Sequence, residues 1–277
     1  LNWDWKITDA TTLNSVAYAS FGRGGGTGDA GRINGKFYNA LPRSADGLVR
    51  FDDIVKWNQG GAVADFGAVN ATPGLSNGTN GIIRRSSINS HNWMGIITSL
   101  NHKINDNFSA TVGFDGRTYK GIHYRIATDF LGNNSYTDTS NINNKPNVIT
   151  NAFTTNPSWN PFGGKTNEIQ DQLAYSNDGL VTWLGGFGQL EYTNDALSAF
   201  VQGSISNQNF QRIDYMLYAA DQQKSEKVDL VGYNVKGGAN YNINENHNVF
   251  VNGGYYERHP FFGAVFLDNS NTINPSL

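Results

Sequence analysis

The sequence contains no cysteine, which excludes a disulfide framework and thiolate metal sites. Charged residues make up only 16% of the chain, well below the roughly 25% of a typical soluble protein. The net charge is −3 and no basic run occurs, so nucleic acid is not an expected partner. Apolar residues nowhere continue for the length of a transmembrane helix, and helix signals are sparse. These absences exclude disulfide-rich, nucleic-acid-binding and helical membrane proteins.

The chain is instead rich in glycine, with 32 residues, and in aromatic residues, at 13%. Residues 180–209 show a pattern that recurs along the chain. Leu184, Leu190 and Tyr192 share one parity, whereas Gln189 and Glu191 share the other. Alternation with a period of two predicts a strand with one apolar and one polar face. A short polar turn at residues 193–196 predicts that two such strands form a hairpin.

The same pattern occurs four times and predicts about eight strands. The other hairpins are residues 2–8 with 13–21, residues 93–104 with 108–119, and residues 228–243 with 249–256. Their turns lie at residues 9–11, 105–107 and 244–246. The links between hairpins cover residues 22–92, 120–178 and 210–227, and the first two far exceed ordinary connections.

Strands of about ten residues match the length of a tilted strand that crosses a bilayer. Short turns at one end and long loops at the other are typical of outer-membrane barrels. The mean hydropathy of −0.46 is compatible with such a barrel, because alternation dilutes the apolar residues. The sequence therefore predicts an all-β chain that forms part of an antiparallel transmembrane β-barrel.

Four stretches resemble the barrel of SusC-like (RagA-like) TonB-dependent outer-membrane transporters of Bacteroidetes. They are residues 17–28 (AYASFGRGGGTG), 114–132 (FDGRTYKGIHYRIATDFLG), 185–209 (GGFGQLEYTNDALSAFVQGSISNQN) and 248–271 (NVFVNGGYYERHPFFGAVFLDNSN). Their order and spacing, more than any single stretch, carry the resemblance.

The resemblance implies a 22-strand barrel in a Gram-negative outer membrane, occluded by a plug domain. It also implies import of oligosaccharides or oligopeptides with a SusD-like lipoprotein and with energy from TonB. Residues 1–277 are then part of one barrel domain, and the plug, the TonB box and the remaining strands lie outside them. Accordingly, we expect the eight strands not to close into a barrel of their own.

Charged and aromatic residues on the polar faces are the candidates for the lumen. Asp115, Arg117 and Tyr119 alternate on one predicted strand and are followed by His123. They either contact a solute or pair with one another or with a plug. Trp183 and Trp159 are further ligand candidates. Aromatic residues of the long loops suit either ligand binding or loop packing, and they are Trp57, Phe66, Tyr136, Phe153, Trp159 and Phe162.

Aromatic residues near strand ends or on apolar faces favour a membrane girdle. The candidates are Trp5, Tyr192, Tyr241 and Tyr255. Such a girdle would mark where the barrel meets the two surfaces of the lipid bilayer.

No cofactor, metal or catalytic residue is expected. Residues 22–28 are rich in glycine, as a dinucleotide-binding loop is, but a loop rather than a helix is predicted after them, which disfavours a dinucleotide site. Residues 268–272 resemble the start of a calcium loop without its later ligands, so an Asx-rich turn is the better interpretation. Five histidines occur without a serine and an acid at a spacing that indicates a triad.

Two alternatives to an importer remain at this stage. A barrel that transports nothing could serve as an adhesin or a structural scaffold. A β-sandwich binding module in water is the third possibility.

Overall fold

A computed structural model describes residues 1–154, 160 and 162–277, and one large antiparallel sheet dominates it. The chain is 57% strand and 8% helix, which confirms the all-β expectation. The strands are β1 (Asn2–Thr8), β2 (Thr11–Gly22), β3 (Gly25–Arg32), β4 (Leu75–Asn77), β5 (Gly81–Lys103), β6 (Phe108–Asp129), β7 (Ser135–Asp138), β8 (Asn147–Ile149), β9 (Gln172–Thr193), β10 (Leu197–Asp214), β11 (Val228–Asn244) and β12 (His247–Tyr256). The helices are α1 (Phe51–Asn58) and α2 (Phe262–Val265).

The large sheet follows the order of the chain, β1-β2-β5-β6-β9-β10-β11-β12, and β3 also pairs with β5. All four predicted hairpins are present, and each pairs neighbouring strands in antiparallel fashion. Within the described residues, β1 and β12 are the two edges and do not pair with each other. The sheet is therefore open, as expected for these eight strands.

The register of the strands separates apolar and polar residues across the whole sheet. One row of directly paired residues is apolar or glycine on every strand: Trp5, Leu13, Leu100, Val112, Gly188, Gly203, Val235 and Tyr255. The adjacent row is polar on every strand except for its final glycine: Lys6, Thr12, Asn101, Thr111, Gln189, Gln202, Lys236 and Gly254. Directly paired residues point to the same side of a sheet, so the two rows define an apolar face and a polar face.

The apolar face is bare over much of the length of the strands. Val112, Leu184, Ile205 and Val231 are 57%, 58%, 61% and 62% exposed. Polar groups on this face pair with each other, as in the 2.7 Å hydrogen bond between Ser15 Oγ and Thr98 Oγ1. An apolar surface that crosses eight strands exceeds what a monomer in water ordinarily exposes.

Several strands are longer than the sequence predicts, and the difference lies at the end with the long links. β5 begins at Gly81 rather than at residue 93, and β6 continues to Asp129 rather than to residue 119. In these extensions both faces are covered, since Ile122, Ile126 and Ala127 are all buried on one strand. A strand buried on both sides loses the period-two pattern that identifies it.

The first long link is also more ordered than predicted. β3 begins within the glycine-rich stretch, at Gly25, where a loop is expected, and it pairs with β5 from Gly81 to Ile88. The same link contains the helix α1. Its apolar side packs in a cluster of buried residues: Ile33, Leu41, Ile54, Trp57, Val63, Phe66, Ile82 and Leu131.

The two long links are joined by a second sheet. β4 of the first link pairs in parallel with β7 of the second, and β7 pairs with β8. Tyr136 and Ile149 of this sheet pack on Ile83, Ala127 and Leu173 of the large sheet. The links thus form a folded layer at one end of the strands.

Residues after β12 return to the polar face. Val265 and Phe266 pack on Phe210, which shares that face with its paired neighbours Val181 and Val228. No helix among the described residues has the length and apolarity needed to cross a membrane.

Asn58 fixes the first link to the large sheet. Its side chain is fully buried, and its Nδ2 donates to Ile82 O and Leu131 O, each at 2.8 Å. Its Oδ1 accepts from Ile82 N at 3.2 Å. One amide therefore satisfies three backbone groups that have no access to water.

We expect Asn58→Ala to destabilise the first link by about 2–3 kcal/mol, because buried backbone groups lose their partners. Hydrogen exchange of the amides in α1 and at Ile82 measures this loss. Asn89→Ala is the control, since Asn89 is exposed on the same strand β5. Equal exchange in the two variants would show that the Asn58 amide does not hold the link.

Candidate functional site

The polar face of β6 brings three of the predicted lumen residues together. Asp115, Arg117 and Tyr119 lie on the same side of the strand, as the alternation predicts. Arg117 Nε donates to Asp115 Oδ1 at 2.9 Å, and the two side chains form an ion pair. The charges of this part of the face are therefore balanced locally.

Trp183 lies beside this ion pair. It is paired in register with Arg117, and the guanidinium carbon lies 5.2 Å from the centre of the Trp183 ring. The ring of His259 also contacts Trp183 edge to face, with the two ring centres 5.2 Å apart. His259 Nε2 is also 3.3 Å from Ser206 Oγ. The result is a continuous polar and aromatic strip across β6, β9 and β10.

A group of rings adjoins the strip, and Tyr119 is the one member of it that was predicted from the sequence as a lumen residue. Trp93 lies edge to face with Tyr18 at 6.1 Å and with Tyr119 at 6.4 Å. His91 stacks on Tyr119 at 5.8 Å. The register of β2, β5 and β6 puts these residues on the polar face and brings their rings together. Flat rings beside hydroxyl and amide groups suit the faces of sugar or peptide ligands.

The other two lumen candidates stand apart from the strip. His123 lies further along the same face of β6, beyond Gly121, and is partly buried. Trp159 lies outside the described residues.

All four girdle candidates are exposed or half-exposed on the apolar face. Trp5, Tyr192 and Tyr241 lie close to short turns, and Tyr192 meets Phe108 at 4.9 Å. Tyr255 lies further from its turn and stacks on Tyr233 at 5.6 Å. This placement is compatible with two boundaries of an apolar band.

Most aromatic residues of the long links are packing residues. Trp57, Phe66 and Tyr136 are buried in the clusters of the folded layer, and Phe153 packs on Ile122 and its neighbours. Burial and the nearby Asp138 carboxylate raise the pKa of Tyr136 to about 12, so its hydroxyl stays protonated. Phe162, in contrast, is 81% exposed.

A second charged cluster, around Asp178, was not predicted. This carboxylate is almost fully buried, accepts from Lys165 Nζ at 2.6 Å and from Tyr215 OH at 3.0 Å, and forms an ion pair with Lys120 Nζ at 3.0 Å. Burial lowers the pKa of Lys165 and raises the pKa of Tyr215. The cluster joins two links to the sheet, so its role is structural. No sequence spacing indicates it, because its members come from four separate segments.

The geometry offers little support for catalysis or metal binding. No three His, Cys, Asp or Glu side chains converge on a possible metal position in the part of the chain that the structure describes. Ser206 and Ser20 each approach a histidine, but in the described residues no carboxylate oxygen lies within 4.0 Å of His259 or His91. The stretch that resembles the start of a calcium loop begins in a 3-10 turn at residues 267–269.

Comparison with known proteins adds no assignment: no family model matches the chain, and no curated protein matches it. The resemblance to SusC-like transporters therefore stays a prediction.

We expect Asp115→Ala to destabilise the protein by about 1–3 kcal/mol, because Arg117 loses its partner in a partly buried position. Asp106→Ala, which removes the exposed pair with Lys103, is expected to cost less than about 0.5 kcal/mol. Denaturant unfolding in detergent measures both. Similar losses in the two variants would mean that burial does not strengthen the Asp115 pair.

Proposed function

We propose that this chain is part of an outer-membrane β-barrel that imports oligosaccharides or oligopeptides. The proposal follows the resemblance to SusC-like transporters and includes their partners, a SusD-like lipoprotein and TonB. The lipid bilayer would cover the apolar face, and the polar face would line the path of the solute.

The division of the sheet into a mainly apolar face and a mainly polar face is the observation that carries the proposal. The apolar row and the polar row extend over the same eight strands without an exchange of character. Transmembrane barrels that enclose water have this arrangement, with lipid outside and a polar lumen inside. The open edges of β1 and β12 fit a larger barrel, because unpaired backbone groups are costly in lipid.

The connections at the two ends of the strands differ in length, and this difference supports an orientation of the protein in the membrane. The turns around Asp9, Asp106, Asn194-Asp195 and Glu245 are short, and we assign them to the periplasmic side. The folded layer made by the long links then faces the exterior, together with the lipoprotein partner. A solute would meet this layer first and the strip around Trp183 afterwards.

One observation favours the alternative of a barrel that serves as a scaffold or adhesin. Residues after β12 cover the polar face of β9, β10 and β11 through Val265 and Phe266. A covered lumen restricts passage, and the folded layer could then present a binding surface to other molecules.

We expect Val201→Lys to reduce the stability of the bilayer-inserted protein by about 2–4 kcal/mol, because lysine would face the hydrocarbon. Gln202→Lys is the matched control, since residue 202 is the next residue on β10 and lies on the polar face. Urea unfolding from phospholipid vesicles measures the difference. If both variants insert with equal stability, or if the protein remains in water without detergent, the membrane assignment is wrong.

We expect loss of the protein to abolish growth on at least one oligosaccharide or peptide, and loss of TonB to do the same. Trp183→Ala should raise the half-saturating solute concentration several-fold, because the ring lies in the strip on the polar face. Trp3→Ala, which removes a ring exposed at 56%, should leave uptake unchanged. Unchanged growth of a deletion strain on every solute tried would favour the scaffold.

A further inference from the structure

Two arginines on the polar face converge on one hydroxyl group. Arg85 Nη1 donates to Ser87 Oγ at 2.8 Å, and Arg125 Nε approaches the same oxygen at 3.3 Å. Ser87 and Arg125 are directly paired between β5 and β6. The two guanidinium groups are therefore held close together despite their like charges.

Among the described residues, no carboxylate forms an ion pair with either arginine, and Asp29 acts on Arg85 only through a longer-range Coulomb interaction. Neither guanidinium has a carboxylate oxygen within 4.0 Å there, unlike Arg117, Arg212 and Arg50. The Asp29 side chain accepts from Tyr38 N at 2.9 Å. It lies on the opposite side of the sheet, because Asp29 is paired with Arg84. Two like charges in a partly buried place are costly without an anion.

Both side chains are fixed in place and retain donors. Arg85 Nε donates to Asp29 O at 3.2 Å and Nη1 to Gly26 O at 3.2 Å. Arg125 lies over the ring of Tyr175 at 5.0 Å. In the described part of the chain, Arg85 Nη2 and both Nη atoms of Arg125 have no protein acceptor. A guanidinium fixed by such contacts is prepared to bind an oxyanion with little loss of entropy.

Gly28 makes room for this arrangement. A Cβ atom at Gly28 would lie 2.8 Å from both the guanidinium carbon and Nη2 of Arg85. Arg85 thus lies flat against β3, and a larger residue at position 28 would displace it.

We propose that Arg85, Ser87 and Arg125 form an oxyanion site that binds a carboxylate, sulfate or phosphate group carried by a ligand. The site adds an anionic-ligand preference to the polar face, which the proposed function does not specify. Binding at this site requires neither transport nor insertion in a bilayer, so it can be tested separately.

Calorimetric titration of the intact protein in detergent tests the proposal with two trisaccharides of matched size. Trigalacturonate carries carboxylates, and galactotriose is neutral. We expect trigalacturonate to bind at least about tenfold more tightly, since a hydrogen bond to a charged group contributes about that factor. Equal binding of the two sugars, or no binding of either trigalacturonate or inorganic sulfate, overturns the proposal.

Arg125→Gln should reduce the affinity for trigalacturonate about tenfold and leave that for galactotriose unchanged. The double variant R85Q/R125Q should abolish the preference. Arg125→Gln is the more informative single variant, because Arg125 makes fewer contacts that support the fold than Arg85. Arg84→Gln is the control: Arg84 neighbours Arg85 but is exposed and lies over Phe51. An unchanged preference in R125Q contradicts the assignment.

Inorganic sulfate separates a general oxyanion site from one for carboxylates alone. Displacement of trigalacturonate by sulfate, but not by sodium chloride of equal ionic strength, supports the general site. Failure of sulfate to compete overturns the sulfate and phosphate part of the proposal.

Discussion

The register of the antiparallel ladder is the constraint on which the rest of this structure depends. Side chains alternate between the two sides of each strand, so a slip of one residue would exchange the apolar and polar faces of that strand. Short turns such as residues 193–197 fix the pairing at one end: Asn194 N donates to Leu197 O, and Asn194 Oδ1 accepts from the backbone amides of Ala196 and Leu197. Each turn thus sets the side of its whole hairpin.

Burial of side chains therefore differs between the two ends of the strands. Near the turns the apolar face has no protein covering it, and no core forms there among the described residues. At the other end, the links cover both faces and supply the clusters around Trp57, Tyr136, Ile122 and Phe210. The same strands thus run from a region packed like an ordinary protein core to a region with exposed apolar side chains. Those side chains need an apolar partner, such as lipid, to leave water.

The charged groups of the molecule fall into two kinds. The carboxylates of Asp115 and Asp178 form ion pairs with arginine or lysine side chains. These ion pairs stabilise the strip on β6 and the attachment of the links. Arg85 and Arg125 are different, because they share a neutral hydroxyl and keep donors that have no protein acceptor among the described residues. The first kind is satisfied within the fold, whereas the second requires a group from outside. This distinction makes the arginine pair a site rather than a structural element.

The sequence by itself determined the four hairpins and the faces of their residues, because period-two alternation and polar turns are local properties of the chain. It also placed Asp115, Arg117 and Tyr119 on one side of β6. Only the tertiary structure decided what those residues meet: Trp183 and His259 come from strands and segments far along the chain. The same holds for β3, for the strand extensions and for the Arg85–Ser87–Arg125 group. In those regions both faces are covered or residues from distant segments pair, and neither condition leaves a local pattern in the sequence.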